Sequence, residues 1–523
     1  MQQQNLQPVA LQERIQTIDI IRGIALLGIL IINFTVDNRN VQPEEGWTGF
    51  ADLLVYWPIK LFLDDRFMAM YCFLFGLGFS IQLLRAQERN TPFVMLYFRR
   101  LVALYLIGTA HNILTHAGIL PSYAIVGVLL LLLYKLPWKF LPVLAILCFL
   151  IPTARDFYKS QKAVKLVTEN TISNIDTSLV DACVGVYERV GESGRYNIIT
   201  REGNKVFSQG RGGKFEMLVI SDTEFVNKRT AVDKFTFHRD STGNIYKFVI
   251  HPTNANPVSG LKIQMDITKA QKEMDRQMAA IINPQQKISY KQFIVKNAKD
   301  TWQNLKNWSW SNFFWGSNIS NILPLFLMGL YFGRRKIFFD IPLNRKFLHN
   351  TMKWCLITGG TGVAIFIGFE AWNVFIGKNW DWGYSVFIRD LINISWNLGV
   401  MLMAIGYISG IGLLLEKIEW KKRLSFFAPV GRMGLTNYVL HTIPYIIIFD
   451  SFALGLSGKI GPFYRLLLAL PVYGLLIILS HWWFKHFCIG PAEWLWRSLT
   501  YLKFQPMRIQ QPDKAEEKED GNI

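Results

Sequence analysis

Residues 14–34 read RIQTIDIIRGIALLGILIINF, and this stretch decides the class of the protein. From Ile20 to Val36 the chain runs for about 17 residues, close to the length that crosses ~30 Å of hydrocarbon, and Arg22 is its only charged residue. A surface helix of a soluble protein would carry a polar face, which this run lacks. The stretch therefore predicts a helix that crosses a membrane.

Similar apolar runs recur along the 523-residue chain, in which 51% of the residues are hydrophobic. They predict an all-α polytopic membrane protein of about ten transmembrane helices. The residues before the first run are polar and no small-residue cleavage site follows it, so we expect that run to be retained rather than removed as a signal peptide. The helices are expected near 20–36, 67–84, 101–118, 121–135, 138–153, 313–333, 353–376, 393–415, 434–456 and 463–484.

The basic residues indicate how the helices are oriented. The net charge is +18, but Lys and Arg group at helix ends, which favours topology signals over nucleic-acid binding. If the helices alternate, all four clusters fall on one side, so both termini are expected in the cytoplasm. The clusters are Arg85, Arg89, Arg99 and Arg100; Lys135 and Lys139; Arg334, Arg335 and Lys336; and Lys417, Lys421, Lys422 and Arg423.

Residues 155–305 interrupt the membrane pattern and predict an inserted extracytoplasmic domain. Six segments in its centre, about 176–268, alternate apolar and polar residues, with turn signals at 202–204 and 241–244. This pattern predicts a small β-rich domain whose sheet has one buried face. The other expected units are 1–154 with helices 1 to 5, 306–505 with helices 6 to 10 and a C-terminal signature, and 506–523 as a disordered cytoplasmic tail.

Polar side chains inside the predicted spans are costly in hydrocarbon, so each one poses a functional question. His111 is the first candidate for a general base and His441 the second, with a hydrogen-bonded packing role as the alternative. Asn33 is a candidate to polarise a carbonyl group, or else a hydrogen bond between helices. Asn437 lies four residues before His441 and therefore on the same helix face.

Charged residues at the cytoplasmic helix ends are candidates for binding an anionic substrate. Asp19 and Arg22 lie one helical turn apart and can pair, either in a site or as an interfacial ion pair. Guanidinium forks match the geometry of phosphate groups, although the orientation signal explains the same residues. The candidates are Arg99, Arg100, Arg334, Arg335 and Arg432. No cluster has the spacing of metal ligands, so no metal site is expected.

Several motifs, in order along the chain, resemble the YeiB-like bacterial membrane proteins that carry domain of unknown function 418. The first is also similar to the lysosomal heparan N-acetyltransferase family and the wider transmembrane acyltransferase superfamily. That family has a catalytic His after its first helix, whereas no His lies between Met1 and Arg100 here. The motifs are RIQTIDIIRGIALLGILIINF, RFMAMYCFLFGLGFSIQLLRA, RRLVALYLIGTAHNIL, YAIVGVLLLLL, GRMGLTNYVLHT and GPAEWLWRSLTYLKFQPMR.

The resemblance implies a multi-pass protein of the bacterial inner membrane that moves an acyl group from cytoplasmic acyl-CoA (acetyl-CoA) to an acceptor at or across the membrane. It implies no tightly bound cofactor. His111 or His441 would deprotonate the acceptor, and Asn33 or Asn437 would polarise the thioester carbonyl. The expected partners are the lipid bilayer, the acyl donor and acceptor, and a second copy in a homodimer, but no nucleic acid.

Two other functions stay open at this stage. A transporter or permease would line its substrate path with the same buried polar residues, and a non-catalytic membrane protein would use its external domain to bind a partner. The insert itself resembles the β-rich module, domain of unknown function 3471, found behind serine β-lactamase-like hydrolases. That resemblance rests on VGVYE, NIITREGNKVFSQG and FTFHRDSTGNI.

Overall fold

The structure is a computed structural model that describes residues 15–36, 49–116, 118–170, 180–191, 194–210, 213–228, 233–251, 257–282, 289–306, 318–375, 386–450 and 452–508. Helices dominate, as predicted. Before the insert they are α1 Gln16–Thr35, α2 Phe50–Phe62, α3 Arg66–Glu88, α4 Val94–Thr115, α5 Leu120–Leu133 and α6 Leu141–Asn170. After its strands come α7 Ile267–Ile282, α8 Tyr290–Lys306, α9 Leu323–Arg334, α10 Ile341–Phe375, α11 Val386–Glu416, α12 Ile418–Arg423, α13 Phe427–Arg432, α14 Gly434–Phe449, α15 Pro462–His486 and α16 Pro491–Tyr501.

Each of the ten predicted spans overlaps a helix. Within the described residues, six helical stretches are both long and apolar enough to cross a membrane. The membrane class is therefore confirmed, whereas the number of ten crossings stays a prediction. The six stretches are Gln16–Thr35, Phe50–Glu88, Trp138–Lys162, Ile341–Phe369, Phe387–Glu416 and Pro462–His486, and three shorter apolar helices are Leu120–Leu133, Ile319–Arg334 and Gly434–Phe449.

Glycines hold α3 directly against α9, on the two sides of the insert in sequence. A side chain at Gly76 would overlap the backbone of Phe326, and one at Gly329 would overlap the backbone of Phe73. The ring of Phe73 also packs edge-on against Phe332, with 4.9 Å between centroids. Because packing provides much of the attraction between helices in lipid, such close contacts join the chain before and after the insert into one bundle.

The first helix is enclosed by the C-terminal helices in the same way. A side chain at Gly23 would overlap the backbone of Phe427, and one at Gly431 would overlap the carbonyl oxygen of Asp19. The hydroxyl group of Tyr473 donates a hydrogen bond of 2.6 Å to the carbonyl oxygen of Gly23. These contacts fix the depth of α1 against α13 and α15, and thereby the positions of the polar residues on α1.

The insert forms a closed antiparallel barrel of eight strands that pair in chain order, where the sequence predicted a sheet with one buried face. The structure adds two strands to the six predicted ones. One of them has only four residues, and the other contains Gly260, where a side chain would overlap the Phe248 ring, so neither resembles a strand in sequence. The strands are β1 Gly185–Arg189, β2 Tyr196–Glu202, β3 Lys205–Gly210, β4 Gly213–Val219, β5 Glu224–Asn227, β6 Lys234–Arg239, β7 Ile245–His251 and β8 Val258–Ile263.

Two helices follow the barrel, and the second of them reaches the bundle. On α7, Ala270 and Met274 bury the outer side of β1 and β2. On α8, Tyr290 donates a hydrogen bond of 3.2 Å to the carbonyl oxygen of Leu114, and Asn297 donates one of 3.1 Å to that of Ile113. The insert is therefore attached at the C-terminal end of α4.

Candidate active site

A cavity of about 340 Å³ lies between helices α1, α3, α4, α14 and α16. Its basic end lies where α3 ends and α4 begins, opposite the end of α4 that contacts α8. Guanidinium groups outnumber carboxylates there, and this suits an anionic ligand with several phosphate groups. Six arginines and two acidic residues line it, namely Arg22, Arg85, Arg89, Arg100, Arg432, Arg497, Asp19 and Glu493.

The inner part of the cavity is apolar and aromatic. Its lining includes Leu104 on α4, Ile119 and Leu120 at the start of α5, and Tyr438 on α14. His111 lies eleven positions after Arg100 on α4, which is about 16 Å along the helix at 1.5 Å per residue. The cavity thus runs from a basic end to Tyr438, and neither His111 nor His441 is among its lining residues.

Helix α16, from the C-terminal signature, forms one wall of the cavity. Glu493 accepts hydrogen bonds from the amides of Leu435 (2.7 Å) and Thr436 (3.1 Å), which are orphan donors in the first turn of α14. Burial raises the pKa of the Glu493 carboxyl group, and the bonds from Thr436 oppose this shift. Trp496 donates to the carbonyl oxygen of Arg100 at 2.8 Å, and the Arg100 guanidinium lies 3.7 Å from the centroid of its ring.

Some of the predicted anion-binding residues line the cavity, and others lie outside it. Asp19 and Arg22 form the expected pair at 3.3 Å and both line the cavity. Arg100 and Arg432 line it as well, and Arg432 lies 3.9 Å from the centroid of the Phe484 ring. Arg99, in contrast, is exposed and is not among the lining residues, because it is displaced by about 100° around α4 from Arg100. Arg334 and Arg335, at the end of α9, are not among the lining residues either.

Sequence reasoning missed three lining arginines as ligand-binding candidates. In the sequence, Arg85 and Arg89 indicate only the orientation of the helices, and Arg497 does not stand out as an anion ligand, yet all three line the cavity. Arg85 and Arg89 lie four residues apart, with Gln82 one turn earlier, so they share one face of α3. This spacing shows in the sequence that the two arginines point the same way, but it does not show that their helix face borders a cavity.

Two of the three predicted catalytic residues, His111 and His441, lie against Tyr438, and the third, Asn33, contacts His441. The Tyr438 ring centroid is 5.6 Å from that of His111 and 5.3 Å from that of His441. The side-chain amide of Asn33 lies 2.9 Å from Nε2 of His441, in hydrogen-bonding contact across 408 positions of sequence. Nε2 of His111 has a longer contact, 3.4 Å, with Oγ1 of Thr115. The structure brings these residues together, while their chemical roles stay predictions.

The side chain of Asn437 makes its hydrogen bonds outside this group of residues. Its side-chain amide is fully buried and donates to the carbonyl oxygen of Val430 at 3.0 Å and to Oγ of Ser480 at 2.9 Å. It therefore ties α14 to α13 and α15, and it is not among the residues that line the cavity. These contacts favour a structural role over the predicted substrate-binding one.

The fold and the cavity together define a class: a polytopic helical membrane protein with an arginine-lined cavity that reaches Tyr438, whose ring packs against two buried histidines. Residues 14–174 match the family model of the heparan-alpha-glucosaminide N-acetyltransferase catalytic domain, and residues 332–503 match the model of the protein of unknown function DUF418. The chain is therefore similar to the YeiB-like DUF418 proteins and to the heparan-alpha-glucosaminide N-acetyltransferases, in each case over about a third of its length. No solved structure matches it.

Three curated bacterial proteins are similar to this chain, one of them over nearly its whole length. The uncharacterized protein YxaH of Bacillus subtilis (strain 168) is 26% identical over 515 residues, which cover 96% of this chain and 98% of the relative. The uncharacterized protein YeiB of Escherichia coli (strain K12) is 33% identical over 143 residues, 27% of this chain and 36% of that protein. An uncharacterized 39.9 kDa protein of Bacillus acidopullulyticus is 33% identical over 135 residues, 25% of this chain and 37% of that protein.

Both matched segments contribute to the cavity. Lining residues from Ile15 to Tyr123 fall in the first segment, and those from Gly431 to Tyr501 fall in the second. The barrel lies between the two segments in sequence, and its resemblance to the module behind β-lactamase-like hydrolases stays a prediction.

Proposed function

We propose that the protein is a membrane-bound acyltransferase that takes an acyl group from acyl-CoA in the basic cavity and gives it to an acceptor beside His111. One observation carries the proposal: an arginine-lined cavity continues as an apolar pocket that ends at Tyr438, whose ring contacts both buried histidines. The match of residues 14–174 to an acetyltransferase catalytic domain supports it.

The chemistry of acyl-CoA fits the two parts of the cavity. Its phosphate groups carry several negative charges, which arginine forks bind by charge-assisted hydrogen bonds. Its acyl end is uncharged and suits the apolar lining formed by Leu104, Ile119 and Leu120. The thioester then points towards Tyr438, and the part of the donor that carries the phosphate groups stays at the basic end.

In the proposed reaction, His111 accepts the proton of an acceptor hydroxyl or amine. The acceptor oxygen or nitrogen forms a bond to the thioester carbonyl carbon, giving a tetrahedral intermediate. The carbon–sulfur bond of this intermediate then breaks, and the CoA thiolate leaves with the bonding electron pair. His111 returns the proton to that thiolate, so the products are the acylated acceptor and free CoA.

We also propose ten membrane crossings in the bacterial inner membrane, with both termini in the cytoplasm and the barrel outside. The arginines of the cavity then face the compartment that contains acyl-CoA. The attachment of α8 to Leu114, at the opposite end of α4 from Arg100, supports this arrangement. An acceptor on the outer side would approach His111 from the barrel end.

The experiment that tests donor binding compares two neighbouring arginines in the purified protein. Arg100→Ala removes a guanidinium that lines the cavity, whereas Arg99→Ala removes an exposed one outside it. We expect Arg100→Ala to weaken acetyl-CoA binding by about tenfold or more in calorimetry, since charged hydrogen bonds contribute about 1.5–3 kcal/mol. Arg99→Ala should bind acetyl-CoA like the wild type.

Two further measurements complete this test. Because Arg100 stacks on Trp496, the melting temperature of both variants in detergent must show that the fold is intact. Arg100→Lys keeps the charge but loses the fork, so its affinity should fall between those of wild type and Arg100→Ala. A wild type that does not bind acetyl-CoA, or equal losses in Arg99→Ala and Arg100→Ala, would count against the proposal.

A further inference from the structure

Tyr438 lines the inner end of the cavity, and its ring packs against both histidines. Among the described residues, no other side chain with a hydroxyl group is placed in both ways. The Tyr438 side chain is 8% exposed. Its phenolic oxygen accepts a long hydrogen bond of 3.5 Å from the backbone amide of Ile119. Among the described residues, the hydroxyl proton of Tyr438 has no acceptor, so it is available to a ligand in the cavity.

The two asparagines that the sequence suggested for polarising a carbonyl are already engaged. The Asn33 amide contacts His441 at 2.9 Å, and the Asn437 amide donates to Val430 and Ser480. Neither lines the cavity. An oxyanion donor must point at the atom on which negative charge develops, and these two amides point into the helix bundle instead.

The surroundings of Tyr438 strengthen its hydroxyl group as a donor. The backbone N–H of Ile119 points at the phenolic oxygen from 3.5 Å, and at this distance it polarises the O–H bond only weakly. Ile119 also precedes α5, Leu120–Leu133, whose first turn carries the positive end of the helix dipole. Negative charge that develops beside Tyr438 is therefore favoured by two adjacent groups.

We propose that Tyr438 is a catalytic residue that donates its hydroxyl hydrogen bond to the thioester carbonyl oxygen of the acyl donor. The inference rests on the acyltransferase function proposed above. As the acceptor attacks, this oxygen becomes negatively charged, and the hydrogen bond shortens without transfer of the proton. When the carbon–sulfur bond breaks, the carbonyl re-forms and Tyr438 is unchanged. His111, in contact with the same ring, is then placed to accept the acceptor's proton.

The variant that tests this role is Tyr438→Phe, which keeps the ring and its contacts but removes the hydroxyl group. CoA thiol release from acetyl-CoA is measured with hydroxylamine as the acceptor, using the purified full-length protein, and the release that hydroxylamine causes without protein is subtracted. We expect kcat to fall about 10²–10³-fold, the usual effect of losing one oxyanion donor. The dissociation constant of acetyl-CoA should stay within about twofold, because the interaction strengthens only in the transition state.

Tyr473→Phe is the matched control. Tyr473 is a buried tyrosine of the same apolar cluster, but its hydroxyl donates to Gly23 and is not part of the cavity lining. Its loss should lower the melting temperature and leave kcat within about twofold of the wild type, because Tyr473 does not reach the reacting atoms.

The outcomes separate this inference from the proposed function. An active wild type with a Tyr438→Phe variant of equal kcat would overturn the role of Tyr438 alone. The role would also be overturned if kcat of Tyr438→Phe fell no further than kcat of Tyr473→Phe, because equal losses would indicate that Tyr438 acts only through packing. A wild type that binds acetyl-CoA but releases CoA no faster than hydroxylamine alone would overturn both the acyltransferase function and this inference.

Discussion

His111 and His441 differ in what their ring nitrogens already contact. Nε2 of His441 lies 2.9 Å from the Asn33 amide, and its Nδ1 is buried. Within the described residues, Nε2 of His111 has only the 3.4 Å contact with Thr115. A general base needs a nitrogen that the acceptor's proton can reach. His111 is therefore the better candidate, and the pair of Asn33 and His441 is better placed to hold α1 against α14.

His111→Ala tests this assignment. If His111 is the base, turnover of acetyl-CoA should fall about 10²–10⁴-fold while the melting temperature in detergent stays near that of the wild type. His116→Asn is the control, because His116 is exposed at the end of α4 with a positive φ of 53° that Asn tolerates. A large loss of melting temperature in His111→Ala, without a selective loss of turnover, would identify His111 as a packing residue.

At the scale of elements, the barrel is completed by a helix that lies beyond its predicted core of about 176–268. Val186 and Ile198 are fully buried although they lie on the outside of the barrel, because Ala270 and Met274 of α7 cover them. The aromatic residues of the other cluster, such as Tyr187, Phe235 and Phe248, fill the interior. The barrel therefore has an interior core and an outer apolar patch that needs α7.

This arrangement predicts the length of the fragment that folds alone. Residues 180–282 should give a cooperative melt in circular dichroism, whereas residues 180–266, which lack α7, should melt about 10–20 °C lower. Exposing the patch costs roughly 2–3 kcal/mol by the usual value for buried aliphatic side chains, and 1 kcal/mol corresponds to about 4–8 °C in a domain of this size. Equal melting temperatures for the two fragments would show that α7 is dispensable.

At the scale of the whole molecule, the open question is on which side of the membrane the barrel lies. The basic clusters and the attachment of α8 both favour an outside barrel, with the cavity facing the cytoplasm. Reporter fusions after Ser241 and at the C-terminus should then report opposite sides of the membrane. If both fusions read cytoplasmic, the number of crossings between them is even, and the proposed arrangement of ten helices is wrong.

The sequence by itself determined the membrane class, the positions of the main helices and six of the eight strands. These features depend on local patterns: apolar runs of bilayer length, alternation, and turn residues such as those at 202–204 and 241–244. The weak patterns of β5 and β8 escaped this reasoning, because one strand is very short and the other contains Gly260. Their place in the barrel depends on pairing with neighbours and not on their own composition.

Only the tertiary structure decided which polar residues share a site. Arg99 and Arg100 are equivalent in sequence, and the rotation of α4 against α16 alone places Arg100 in the cavity and Arg99 outside it. The sequence does not indicate a functional role for Tyr438, because it is an aromatic residue in an apolar helix. In the structure, it lies between the cavity and both histidines. Such contacts join positions as distant as Arg100 and Trp496, 396 residues apart. They follow from how helices pack, which no local pattern encodes.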